Sequence, residues 1–82
     1  MLNIKVIGTG CPNCLRLKAL CDEVVKEQNF NAKIESVTDI NTFGDYGVFM
    51  TPGLVVNGSP LSQGKIPTKS TLIHWLKNSL NQ

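Results

Sequence analysis

No run of apolar residues in this chain is long enough to cross a bilayer, which takes about 20. The opening stretch MLNIKVIG has no basic start followed by a long apolar block, so no signal peptide and a cytoplasmic location are expected. Charge is sparse, at 17% of residues. Eight basic and six acidic side chains leave a net +2, scattered along the chain with no patch suited to nucleic acid or a membrane surface. There is one histidine, and no second Cys or His pair stands at zinc-ligand spacing. The three cysteines are an odd number, which argues against a secreted disulfide scaffold. Repeats, linkers and low-complexity segments are missing as well.

What remains is 82 residues, 41% of them apolar. That balance is globular, and residues 1–82 are expected to form one small domain with a modest core.

Leu2, Ile4 and Val6 alternate with Asn3 and Lys5, which predicts a strand ending at Ile7. Gly8-Thr9-Gly10 breaks it. At steps of about 100°, Cys14, Leu17, Leu20, Cys21, Val24 and Val25 share one side of a helix running from Cys11 to about Gln28. Ala32 to Val37 is a second strand. Asp39 to Tyr46 reads as a short helix or turn capped by Asp39. Leu54 to Val56, the turn Asn57-Gly58, and Ser59 to Gln63 read as a hairpin, with Pro60 marking an edge strand. A last helix is opened by Pro67 or Thr68 and ends near Leu80, with Leu72, Ile73, Leu76 and Leu80 on one face. This order implies an open sheet with helices on both faces. The first two strands should be parallel and the last two antiparallel.

The segment GTGCPNCLRL carries the chemistry. As a phosphate turn it fails, because Asn13 stands where a third glycine is needed. A redox reading has a direct mechanism. Pro12 suits the first helical turn, which puts Cys11 at the helix N-cap and Cys14 one turn deeper on the apolar side. Unpaired N–H groups and the helix dipole would stabilise a Cys11 thiolate, so its pKa should fall. Cys11 is then the attacking thiolate and Cys14 the shielded resolving thiol. A metal reading keeps both sulfurs as soft ligands. Cys21 lies about 10 Å along the helix from Cys14, and His74 falls opposite the apolar stripe, so zinc is disfavoured. A two-thiolate copper(I) carrier stays open, as does a non-catalytic binding module.

A second motif narrows the choice. Thr51-Pro52 precedes an apolar strand some forty residues after the Cys pair, and Gly64-Lys65 follows the hairpin. Together with Gly8 to Cys14, these resemble the short thioredoxin-like redox-active disulfide proteins over almost the whole chain. The resemblance implies a minimal thioredoxin-like α/β fold with a four-stranded mixed sheet in the order 2-1-3-4, flanked by helices. It implies thiol–disulfide exchange on protein or small disulfides, by a monomer that draws on an unidentified electron donor. The Cys11–Cys14 disulfide would itself be the redox group, with no separate cofactor and no metal. A cis Thr51–Pro52 bond would present the Thr51 main chain to a substrate held also by Gly10 and Pro12. Two departures stand out: Gly10 replaces the tryptophan of larger thioredoxins, and Lys5 is the only charge on the strand where they bury an acid. Pro12 is closer to glutaredoxins. Their glutathione-holding segment reads SQGKIP here, which leaves glutathione an open ligand. Potentials for such motifs run from roughly −270 to −120 mV, so either direction of electron flow fits.

Other residues take plainer roles. Cys21 is expected in the core as a small hydrophobe. Lys18 and His74 are expected in solvent and Trp75 in packing. Tyr46, Phe49 and Met50 precede the Thr-Pro loop and fit either a wall of the substrate groove or the core under the sheet, with the core favoured for Phe49.

Overall fold

The structure, a computed structural model, describes residues 2–80. Strand β1 (Leu2–Ile7) leads into helix α1 (Pro12–Gln28), followed by β2 (Ala32–Val37) and a 3-10 segment (Ile40–Tyr46). Then come the hairpin β3 (Gly53–Val56) and β4 (Ser59–Gln63), and helix α2 (Lys69–Leu80). The four strands form one sheet in the order β2-β1-β3-β4, the order implied by the family resemblance. β1 lies at its centre, parallel to β2 with Ile4 opposite Ile34 and antiparallel to β3 with Ile4 opposite Val56. β3 pairs antiparallel with β4, and the register slips between Leu54 and Val55. Pro60 sits on the outer strand, where its missing N–H leaves no ladder bond unmade.

The alternation in β1 sorts its side chains. Leu2, Ile4 and Val6 meet Leu17, Cys21 and Val24 of α1 and Leu72 and Leu76 of α2, with Leu54 and Val56 from β3. Full burial of a leucine such as Leu17 stabilises the fold by about 1.5–3 kcal/mol. Both α-helices therefore share one face of the sheet, where Lys69 of α2 pairs with Glu23 and Glu27 of α1. The helix on the opposite face is the 3-10 segment. Its Phe43 packs with Ile7, Val48 and Val55 in a second, smaller core. Lys5 points to this second face. It pairs with Glu35 at 3.2 Å and stands over the Tyr46 ring.

Two apolar side chains differ from the sequence reading. Phe49 is 82% exposed, because Val48 takes the core position beside Ile7 and the next residue must then point outward. Leu80, on the last turn of α2, is exposed while Leu72 and Leu76 are buried. His74 is exposed and Trp75 packs against the larger core. No helix among the described residues is long and apolar enough to cross a membrane.

Candidate active site

Strand β1 ends at Ile7, and Gly8 to Gly10 turn the chain into α1. Gly10 has φ 87°, a conformation that glycine adopts without the cost of a Cβ. Cys11 is the N-cap of α1, in extended geometry, with Pro12 in the first turn. The Cys14 N–H donates to Cys11 Sγ at 3.3 Å, so a sulfur fills the capping role usually held by an oxygen. Cys11 is half-buried, and Cys14 is buried on the core side. Pro12 and Asn13 are exposed beside them.

The two thiols are driven apart electrostatically. Cys11 is held below the ordinary thiol value, first by the Cys14 side chain hydrogen-bonding to it and then by the Cys14 backbone N–H. Burial pushes the Cys14 thiol up, and its hydrogen bond to Cys11 and the charge there act in the same direction. Cys21 is another matter. It is fully buried about two turns further along the same helical face, and burial pushes it up to about 12, leaving it an inert part of the core.

The second wall of the site is the loop that precedes β3. The Thr51–Pro52 bond is cis. Thr51 is exposed and Pro52 is buried, with its carbonyl accepting the Gly64 N–H at 3.0 Å. Gly8 joins the two walls: a Cβ there would collide with Cys14 Sγ and stand 3.9 Å from Thr51 Cβ. The glycine is what lets the Cys14 thiol, the end of β1 and the Thr51 loop come together. A groove of about 510 Å³ opens alongside, lined by Thr9, Ile40, Phe43, Val48, Phe49 and Thr51. Ile40, Phe49 and Met50 are the large apolar side chains exposed on this side, at 69%, 82% and 62%. A smaller cleft of about 100 Å³ reaches Cys14 between Gly8, Gly10 and Lys18. Lys18 itself turns to Asp22 at 3.6 Å.

Two residues of this site carry no mark in the sequence. Gly8 reads as a simple strand breaker, yet it clears the space occupied by Cys14 Sγ. Gln63, at the end of β4, accepts the Phe49 N–H at 2.7 Å and the Met50 N–H at 3.4 Å, and donates to the Gly47 carbonyl at 2.9 Å. No spacing or motif signals that contact, because the loop and Gln63 meet only through the hairpin.

Comparison with known proteins bears on the family and the fold. The family model of the thioredoxin domain matches residues 2–77. A thioredoxin of Methanocaldococcus jannaschii is 35% identical over 80 residues, which is 98% of this chain and 92% of that protein. A thioredoxin of Methanothermobacter thermautotrophicus is 32% identical over 72 residues, covering 88% of this chain and 94% of the relative. A solved structure of thioredoxin-2, described as a component of malaria parasite protein secretion machinery, superposes with a TM-score of 0.72 over 95% of this chain and 82% of its own. At 14% identity that likeness is one of fold.

Proposed function

The chain belongs to the thioredoxin domain family and is a thiol–disulfide oxidoreductase, and from that premise we propose that its exchange chemistry runs through Cys11 and Cys14. The observation that carries the proposal is the Cys14 N–H donated to Cys11 Sγ at the start of α1, with one thiol lowered and its neighbour raised.

The Cys11 thiolate attacks one sulfur of a substrate disulfide. That S–S bond breaks, the departing thiolate takes a proton from water, and a mixed disulfide with Cys11 forms. The negative charge on Cys11 is then gone, and with it the part of the Cys14 shift that came from Cys11. Cys14 loses its proton to solvent and attacks Cys11 Sγ. The internal disulfide forms, and the second substrate thiolate leaves with the electron pair. Two electrons have moved to the substrate, and the Cys11–Cys14 disulfide is the only redox group the cycle uses.

The substrate is a protein disulfide. An extended segment around it lies along the groove and against Gly10, Pro12, Thr51 and Pro52. The exposed main chain of Thr51 supports this placement: outside the ladders, no hydrogen bond to it is found among the described residues. The protein works as a monomer in the cytoplasm, recharged by a separate electron donor, with glutathione as one candidate.

The test is reduction of insulin disulfides by dithiol-charged protein. Wild type should turn over and Cys11→Ser should be inactive. Cys14→Ser should accumulate a mixed disulfide with the substrate on Cys11. Turnover that survives in Cys11→Ser would remove the proposal.

A further inference from the structure

Phe49 and Met50 are large apolar side chains held out in solvent on a loop that belongs to no strand or helix. Such segments, with few buried contacts, are normally the first parts of a protein to open. Among the described residues, the N–H groups of Phe49 and Met50 find one acceptor, the Oε1 of Gln63. The same carboxamide gives its Nε2 to the Gly47 carbonyl. Only this orientation works, since a flipped amide would set its NH2 against two donors and its oxygen against a carbonyl. The next residue adds a fourth tie, from the Gly64 N–H to the Pro52 carbonyl, and a Cβ on Gly64 would press on Met50. Gln63 stands opposite Gly53 at the end of β4, so the hairpin fixes where its arm can reach. The loop that carries Thr51 is therefore spanned from Gly47 to Pro52 by two consecutive residues of β4 and its end.

We propose that Gln63 is a positioning residue for the exchange reaction: its carboxamide holds the Phe49–Thr51 segment in register with Cys11, so that a protein substrate meets a preformed groove. This inference rests on the reading of Cys11 and Cys14 as the exchange pair. Gln63 touches neither the thiols nor the reacting atoms. It acts through the loop, whose Phe49 and Thr51 form one wall of the groove with Thr9 beside the Cys motif as another. A protein disulfide with an apolar residue near its cysteine needs that wall in place, whereas a small disulfide needs only Cys11. Without the carboxamide the loop samples other shapes, and apparent affinity falls by the fraction of molecules that remain competent.

The experiment compares Gln63→Met, which keeps the length of the side chain without its polar groups, with wild type on insulin and on bis(hydroxyethyl) disulfide. If about a tenth of loops stay competent, KM for insulin rises about tenfold while kcat holds. The rate on the small disulfide should be unchanged. Gln63→Glu keeps the two accepted N–H bonds and loses the donated one, so its KM should fall between the two. An unchanged KM for insulin in Gln63→Met, or an equal loss on both disulfides, would overturn the role of Gln63. A wild-type protein inactive on both would overturn the exchange reading, and this inference with it.

Discussion

Cys11 receives the N–H of Cys14, three residues along the chain, whereas Phe49 and Met50 give theirs to a glutamine 14 and 13 residues away. The first wall of the active site is thus local. A glycine turn, an N-cap sulfur, a proline in the first turn and an apolar stripe place both thiols with nothing borrowed from elsewhere. The second wall is assembled. Its loop has little internal bonding and takes its shape from Gln63, Gly64 and the clearance at Gly8. In the proposed reaction, the chemistry that must not drift sits on the local wall, and the surface that would meet a substrate sits on the assembled one.

Substitutions can break this contrast at either wall. The largest effect belongs to the local wall, where Cys11→Ser should abolish reduction of insulin. Gly8→Ala comes next. The added Cβ must displace Cys14 Sγ, and a shift of about 1 Å in a reacting group costs about 100-fold in rate. Turnover on protein and small disulfides alike should fall by that order, which separates this variant from Gln63→Met, whose loss of about tenfold is confined to the protein substrate. Cys14→Ala, which cannot resolve the mixed disulfide and so does not turn over, should show a smaller change in the reactivity of Cys11 itself. The hydrogen bond from the Cys14 side chain is the largest cause of the lowered Cys11 pKa. The pH midpoint of Cys11 alkylation should therefore rise in this variant and stay below the ordinary thiol value, because the backbone N–H of residue 14 remains. Reactivity at a given acidic pH then drops, since less thiolate is present. The smallest functional effect is expected from Cys21→Ala. Removing a fully buried sulfur should cost about 1 kcal/mol in denaturant unfolding and leave turnover alone.

The same contrast explains what the sequence could disclose. The Cys11–Cys14 spacing, Pro12, the stripe from Cys14 to Val24 and the turn Asn57-Gly58 are short-range patterns, and each forms the element its periodicity predicts. The parallel first pair and the antiparallel hairpin follow from the connections that join them, whereas the order 2-1-3-4 comes from the family resemblance. Phe49 shows the limit. Adjacent Val48 and Phe49 are both plausible core residues, and the choice depends on Val48 packing beside Gly53, where a Cβ would meet Val48 Cγ1 at 2.6 Å. Gln63 and Gly8 were illegible for the same reason. Their partners lie across the hairpin or across the helix start, and a polar or small residue at a strand end has no pattern of its own.

The most direct test of the account titrates reduced protein through glutathione redox buffers and traps free thiols at each point. Exchange at Cys11 and Cys14 predicts one reversible two-electron transition, with Cys21 unmodified in the folded protein and the transition lost in Cys11→Ser. No transition, together with stoichiometric copper(I) binding that needs both Cys11 and Cys14, would contradict it.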